Sequence, residues 1–328
     1  MPANLPPTYF EAENRYREAQ SPEAKVEILG EMLSIMPKHK GTDKLRADLR
    51  RKISKLKAQS QKKTGTSRKE TAYSIEKEGA AQVVVVGPPN VGKSSLIAAL
   101  TNASPEVADF PHSTWKPTPG MAPYENIQFQ LIDTPPITRE YIDPWMADLI
   151  RRADIVVILL DLKKDTLEQL ENTLSILQEL RIFPQGASIP EDLKKQPFVK
   201  KMLVVVNKMD EPEEEEDYEV FLELSEIKLP SLGTSIHTRR HLTAFIEKIY
   251  EISSIIRVYT KAPGKEPDMT APFVLPKDSI LEELAAKIHK DFTEKLKFAR
   301  VWGEAVFDGQ MVQKDYVLHD GDVAEIHI

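Results

Sequence analysis

The chemically densest stretch of the chain is GPPNVGKS, residues 87–94, whose spacing matches GxxxxGK[ST]. Four valines precede it and an apolar run, residues 96–100, follows it. That order reads as strand, glycine-bounded loop and helix N-terminus. Such a turn aims a row of backbone N–H groups and the positive end of a helix at one point, which suits a phosphate chain. Gly87, Asn90, Val91, Gly92, Lys93, Ser94 and Ser95 are the candidate cradle. Lys93 would place a positive charge at the outer phosphates, and Ser94 a hydroxyl on Mg²⁺. Prolines 88 and 89 precede the part of the loop whose amides would do the work.

A phosphate loop does not select a base. Asn207-Lys208-Met209-Asp210 follows the valine-rich segment 204–206, at the C-terminal end of an expected strand, where ligands bind in α/β sheets. Asp210 can accept two hydrogen bonds from the N1–H and exocyclic amine of guanine. Adenine lacks that donor pair and would leave a buried carboxylate unpaired. Asn207 can tie the base pocket to the phosphate loop, and the stem of Lys208 can cover the base plane. Asp133, ending another strand, can hold Mg²⁺ through a water. The loop between, residues 108–120, offers Thr114 as the residue closing over Mg²⁺ and the outer phosphate, with Thr118 as its competitor.

These groups need a sheet to hold them. Aliphatic runs at 82–86, 128–132, 155–160 and 202–206 read as parallel strands buried on both faces, and 166–180 and 239–252 as helices between them. The pattern is α/β, doubly wound. The acidic run 211–217 reads as a solvated loop or helix start rather than a metal site. From residue 255 the pattern changes to a small α+β unit: a strand at 256–259, proline-rich loops, a helix over 279–291, and short strands at 299–302, 305–307 and 323–328, with the turn His319-Asp320-Gly321-Asp322 before the last. Residues 1–79 read as helical and then as linker. Ser21-Pro22-Glu23 resembles a helix start; Val26, Leu29, Leu33 and Met36 form one apolar stripe, and Leu45, Leu49, Ile53 and Leu56 a second. The expected divisions are 1–79, 80–254 and 255–328.

The chain has 328 residues, no cysteine and a net charge of −7. Disulfides, thiolate catalysis and cysteine-based metal sites are excluded, as expected for a reducing cytosol. No signal-peptide core or membrane-length apolar run is present in the sequence. Residues 38–69 hold thirteen Lys or Arg against Asp43 and Asp48, a surplus of eleven, so the rest of the chain carries −18. A basic segment on an acidic protein points to a polyanion such as RNA or a ribosome; a solvated helix face with a linker is the competing reading. Nothing specifies DNA.

With these residues in view, the chain resembles the Obg/DRG branch of GTPases. KHKGTDKLRADLRRKISKLK (38–57) is similar to the basic N-terminal helix of that group. GPPNVGKSS, HSTWKPTPG, LIDTPP and NKMD are similar to its first four G motifs. RVYTKAPGKEPD, KIHKDF, ARVWG and VLHDGDV are similar to a TGS domain. The resemblance implies a P-loop NTPase G domain between a helical N-terminal region and a ubiquitin-like β-grasp TGS domain that contacts RNA or ribosomal partners. It implies a fifth motif at Ser235-Ile236, with Ser231 as alternative, meeting the guanine oxygen. It implies K⁺ at Asn90 beside the phosphates; satisfying loop backbone is the other reading of that side chain. Ile137 stands where other GTPases carry a water-orienting glutamine, which implies slow turnover.

The chain departs from the group twice. DxxG becomes DTPP, so Pro136 replaces a glycine whose N–H would bind the γ-phosphate, and proline has no N–H. The span from Asp133 to Asn207 is too short for the added domain of eukaryotic members, so partners of that insert do not carry over. The reading is therefore a slow Mg²⁺-dependent GTPase linked to RNA or ribosomes. A nucleotide-stabilised RNA-binding adaptor is the alternative, and Asp210 argues against an ATP-using protein.

Overall fold

The computed structural model describes residues 75–101, 117–139, 142, 144–226 and 228–328, together with Arg15, Ile28, Leu29, Met32, Ile35 and Leu49. The chain divides into two units, Met1–Ala72 and Tyr73–Ile328. In the first, the six described residues are helical, and Leu29, Met32 and Leu49 are buried. The rest of both apolar stripes, the helix start at Ser21 and, apart from Leu49, the basic segment 38–69 lie outside the described residues.

In the second unit the strands are β1 (Gln82–Val86), β2 (Thr118–Tyr124), β3 (Ile127–Asp133), β4 (Ile155–Asp161), β5 (Ile182–Pro184), β6 (Phe198–Asn207) and β7 (Ser231–Gly233). They form a seven-stranded sheet in the order β2-β3-β1-β4-β6-β5, with β7 also on β6. All pairings are parallel except β2 with β3. The valines of β1 show how the sheet is covered. Val84 and Val86 face a core built with α2 (Pro144–Arg152), α3 (Thr166–Glu179) and α4 (Glu214–Ser225). Val83 and Val85 face the other, built with α1 (Lys93–Leu100) and α5 (Leu242–Ser253). Period-2 alternation in a strand buried on both sides thus needs aliphatic residues at every position. Each valine contributes about 1.5–3 kcal/mol on burial.

A second, five-stranded sheet has the order β11-β10-β12-β8-β9. Its strands are β8 (Ile255–Thr260), β9 (Phe273–Pro276), β10 (Phe298–Trp302), β11 (Gln310–Val312) and β12 (Val323–His327). β12 and β8 are parallel and the other pairs antiparallel. α6 (Leu281–Ile288) supplies Leu281 and Leu284 to the core of this sheet, and α7 (Lys290–Lys295) follows.

The two sheets meet at the β2–β3 turn. Arg257 of β8 ion-pairs with Glu125 of that turn and with Asp320, 2.8 Å away. Its guanidinium lies 5.1 Å from the Tyr250 ring centroid, and Tyr250 stacks on Tyr124. Asn126 donates to the Tyr259 hydroxyl and to the Met269 carbonyl.

Several expectations shift. Residues 305–307 are not a strand. They follow a turn at Gly303 and leave Phe307 87% exposed, and the strand comes later as β11. Gly309, at φ +71°, makes that reversal. The helix expected over 279–291 spans Leu281–Ile288 and stops where His289 turns extended, at φ −161°. β2 escapes a pattern reading because Pro119, Gly120 and Pro123 look like turn residues. It is an edge strand, where a missing N–H is tolerated.

Phe245 of α5 is fully buried against the sheet. Phe245→Ala is expected to destabilise the protein by about 3–5 kcal/mol, while Val220→Ala on the exposed face of α4 changes stability by less than about 0.5 kcal/mol. Urea unfolding measures both; equal midpoints would contradict this assignment of the core.

Candidate nucleotide site

Register in the parallel sheet brings the polar residues to one edge. Val85 pairs with Asp133, and Asp161 pairs with Asn207. The C-terminal ends of β1, β3, β4 and β6 therefore lie side by side, each continuing into a loop.

After β1 the chain turns sharply through Asn90 at φ +65° and Gly92 at φ +102°. A Cβ at Gly87 would stand 2.2 Å from the Leu159 carbonyl oxygen, and one at Gly92 2.7 Å from Asn207 Nδ2. Neither position can take a side chain without moving a neighbour. In α1 the first intrahelical bond is Leu96 N–H to Gly92 O, at 2.8 Å. The amides of Lys93, Ser94 and Ser95 precede it and have no intrahelical acceptor. Val91 is buried, while Asn90 and Ser95 are exposed. Lys93 bends back and donates to the carbonyls of Gly87 at 3.1 Å and Pro88 at 2.7 Å. Burial pushes its pKa down to about 8, against the opposing charge of Asp133.

Ser94 Oγ donates to Asp133 Oδ2 at 2.6 Å. Asp133 is buried, which raises its pKa, while the Ser94 hydroxyl and the Lys93 charge oppose the rise. Its Oδ1 is also buried and has no hydrogen-bond partner among the described residues. A buried, unpartnered carboxylate oxygen beside a hydroxyl is a donor set of hard oxygens that fits Mg²⁺.

At the other end, Asn207 Nδ2 donates to the Val91 carbonyl at 2.8 Å, and its Oδ1 accepts from Ile236 N–H at 3.2 Å. One side chain thus joins the phosphate loop to the loop after β7. Lys208 holds φ +74° and its ammonium lies 2.6 Å from Asp161 Oδ2. Asp210 Oδ1 accepts from Ser235 Oγ at 2.6 Å, which in turn accepts from Thr238 N–H at 3.0 Å. The Ser235 hydroxyl, then Lys163, hold the Asp210 carboxyl below its usual range. Ser231 lies at the start of β7, on the Val204 register rather than beside Asp210.

The remaining expected residues are dispersed. Thr114 lies outside the described residues. Thr118 begins β2 and pairs with Asp133 in the antiparallel register. Pro136 is exposed; Ile137 is buried and its N–H donates to Gly87 O at 3.1 Å. The acidic run divides between a turn and the first turn of α4.

Two residues escaped the sequence reading. Lys163, in the β4–α3 loop, pairs with Asp210 at 2.9 Å and Glu214 at 3.2 Å. Asp161 ends β4 and anchors Lys208. A signal for both was present: Asp161-Leu-Lys-Lys-Asp165 follows an aliphatic strand, the same context that singled out Asp133 and Asn207.

Comparison with known proteins bears on this geometry. The family described as 50S ribosome-binding GTPase matches residues 82–208, and the TGS domain family matches residues 256–328. An uncharacterized GTP-binding protein of Methanocaldococcus jannaschii is 29% identical over 93% of this chain and 93% of its own length. Developmentally-regulated GTP-binding protein 1 of Xenopus laevis is 28% identical over 77% of this chain and 84% of its own. The second such protein of Homo sapiens is 24% identical over 92% and 98%. The Schizosaccharomyces pombe YchF GTPase shares the fold at 13% identity, with a TM-score of 0.52 over 77% of this chain and 99% of that one. With a P-loop sheet, a second sheet in the region matched by the TGS family, and these relatives, the chain is similar along most of its length to Obg/DRG-type GTP-binding proteins that carry a TGS domain.

Proposed function

We propose that this GTP-binding protein is a Mg²⁺-dependent GTPase with slow intrinsic hydrolysis, acting in the cytoplasm as a switch on RNA or the ribosome. The observation that carries the reading is the Asn207 side chain, bonded at once to Val91 O and Ile236 N–H. It sets the distance between a phosphate cradle and a base pocket.

In this reading the amides from Asn90 to Ser95 hold the phosphate chain and Lys93 leaves its two carbonyls for the outer phosphates. Ser94 and Asp133 hold Mg²⁺, which would neutralise charge developing on the phosphate oxygens. Asp210 accepts from guanine, the Ser235-Ile236 backbone meets the guanine oxygen, and the Lys208 stem covers the ring. Water is the nucleophile, and no side chain need act as general base. Asn90 would hold K⁺. Ile137, buried, offers no group to orient the water, so turnover is slow. Residues 38–69 and the TGS domain supply the contacts to RNA or ribosome. Among the described residues no helix is long and apolar enough to cross a membrane.

One observation favours the second reading, an adaptor with little hydrolysis. Pro136 has no N–H, and the next N–H, that of Ile137, is spent on Gly87 O. Neither position offers a free N–H to a γ-phosphate, so GTP would gain little over GDP.

GTP hydrolysis measured in KCl and in NaCl, with and without ribosomes, separates the two. The switch reading expects hydrolysis above buffer, faster in KCl, and abolished by EDTA; rates equal to buffer in every condition support the adaptor. Pro136→Gly is expected to raise the preference for GTP over GDP about ten- to hundred-fold, the worth of one charge-assisted hydrogen bond of roughly 1.5–3 kcal/mol; an unchanged ratio contradicts this. Asp210→Asn should relax the preference for guanine, measured by competition with xanthine nucleotide, and an unaltered preference removes Asp210 from the base pocket. Lys163→Ala frees one Asp210 oxygen from an exposed, solvent-screened ion pair. GDP affinity is therefore expected to rise by up to about five-fold; a tenfold fall would make Lys163 a nucleotide contact instead.

A further inference from the structure

At the opposite edge of the large sheet, where β4 and β6 begin, a cavity of about 630 Å³ opens between the two sheets of the Tyr73–Ile328 unit. This volume falls within the usual range for small-molecule sites. Its polar lining is mostly cationic. Lys77, Arg152, Lys200, Lys201 and, from α6 of the second sheet, Lys287 surround it, and Asp154 is the one acid. Asp154 is already engaged: one oxygen pairs with Lys77 and the other accepts from Gln82 N–H at 2.9 Å. Even leaving Arg152 aside, Lys200, Lys201 and Lys287 leave the positive charge in excess.

The two central lysines are held in place rather than waving in solvent. Lys200 Nζ donates to the Ala153 carbonyl at 2.7 Å, just past the end of α2, and Lys201 Nζ to the Ser253 carbonyl at 2.6 Å, at the end of α5. Each ammonium has three donors, and among the described residues only one of each is used. A helix-capping role would account for those two bonds. It does not account for gathering both caps, Lys77, Arg152 and Lys287 around one cavity. Burial lowers the pKa of Lys200 and Lys201, and Lys77 adds to the effect at Lys200. A bound anion would relieve that cost. The lining has no aromatic side chain on which a base could stack.

We propose that this cleft is a second anion site, distinct from the phosphate loop, that takes a condensed phosphate chain of small-molecule size. Lysines act on such a ligand as point charges, suited to phosphate oxygens without fixed orientation. Because Lys287 belongs to one sheet and Lys200 and Lys201 to the other, the ligand would bridge the GTPase and TGS parts. The site would bind whether or not the other end of the sheet takes GTP.

Isothermal titration of the full-length protein with tripolyphosphate, in saturating GDP and Mg²⁺, tests the proposal. One equivalent is expected to bind. Affinity is expected to fall at least tenfold in Lys200→Gln/Lys201→Gln and several-fold in Lys287→Glu, which sits at an exposed position on α6 and gives up the Lys287 Nζ bond to the Val274 carbonyl. Lys93→Ala, titrated the same way, should keep this binding. Circular dichroism and GDP affinity check that the double variant is folded; if it is not, Lys287→Glu and Lys77→Glu carry the test alone. Absence of binding, many weak equivalents, or loss in Lys93→Ala without loss in the cleft variants each overturn the proposal. So does a lysine-dependent site that takes an RNA oligomer but not tripolyphosphate.

Discussion

The register of four parallel strands is the constraint on which the rest depends. Because Val85 stands opposite Asp133 and Asp161 opposite Asn207, the strands end together. Their loops then have no choice but to share one edge. Close approach enforces the next level: Gly87 lies against the Leu159 carbonyl and Gly92 against Asn207, so the phosphate loop is packed onto the neighbouring strands without side chains between. A one-residue slip of β6 would turn Asn207 to the opposite face of the sheet and lose its bond to Val91.

The same geometry explains the polar economy of the edge. The charged groups named at this edge each have a polar partner. Lys93 is bonded to loop carbonyls, Ser94 to Asp133, Lys208 to Asp161, and Lys163 and Ser235 to Asp210. Such pairing keeps buried groups such as Lys93 and Asp133 tolerable in the absence of nucleotide. It also means that binding exchanges partners rather than creating charge. Only Asp133 Oδ1 stays buried and unpartnered among the residues of this edge described here.

Much of this was legible in the sequence because the physics is local. Continuous aliphatic runs announced strands buried on two faces, and each polar cluster that followed such a run lies at the edge. What was not legible depended on tertiary context. β2 carries two prolines and a glycine and is a strand only because β3 offers it an edge. β5 and β7 are three residues each, too short for periodicity. Residues 305–307 had the composition of a strand, but Gly303 and Gly309 turn the chain around them. Lys163 follows the aliphatic strand β4, but its partners are not legible from that position: only the fold brings Asp210, after β6, and Glu214, at the start of α4, to it. The Ile137–Gly87 bond is backbone to backbone and leaves no trace in residue type.

The account stands or falls on a guanine nucleotide lying along this one edge, phosphates in the loop after β1 and base between the loops after β6 and β7. Hydrogen exchange of backbone amides, followed by mass spectrometry with and without GDP and Mg²⁺, tests that placement directly. Protection is expected in residues 90–96 and 234–238 together, and not at the opposite edge around residues 199–201. Protection of the phosphate loop without residues 234–238, or protection centred elsewhere, would contradict it.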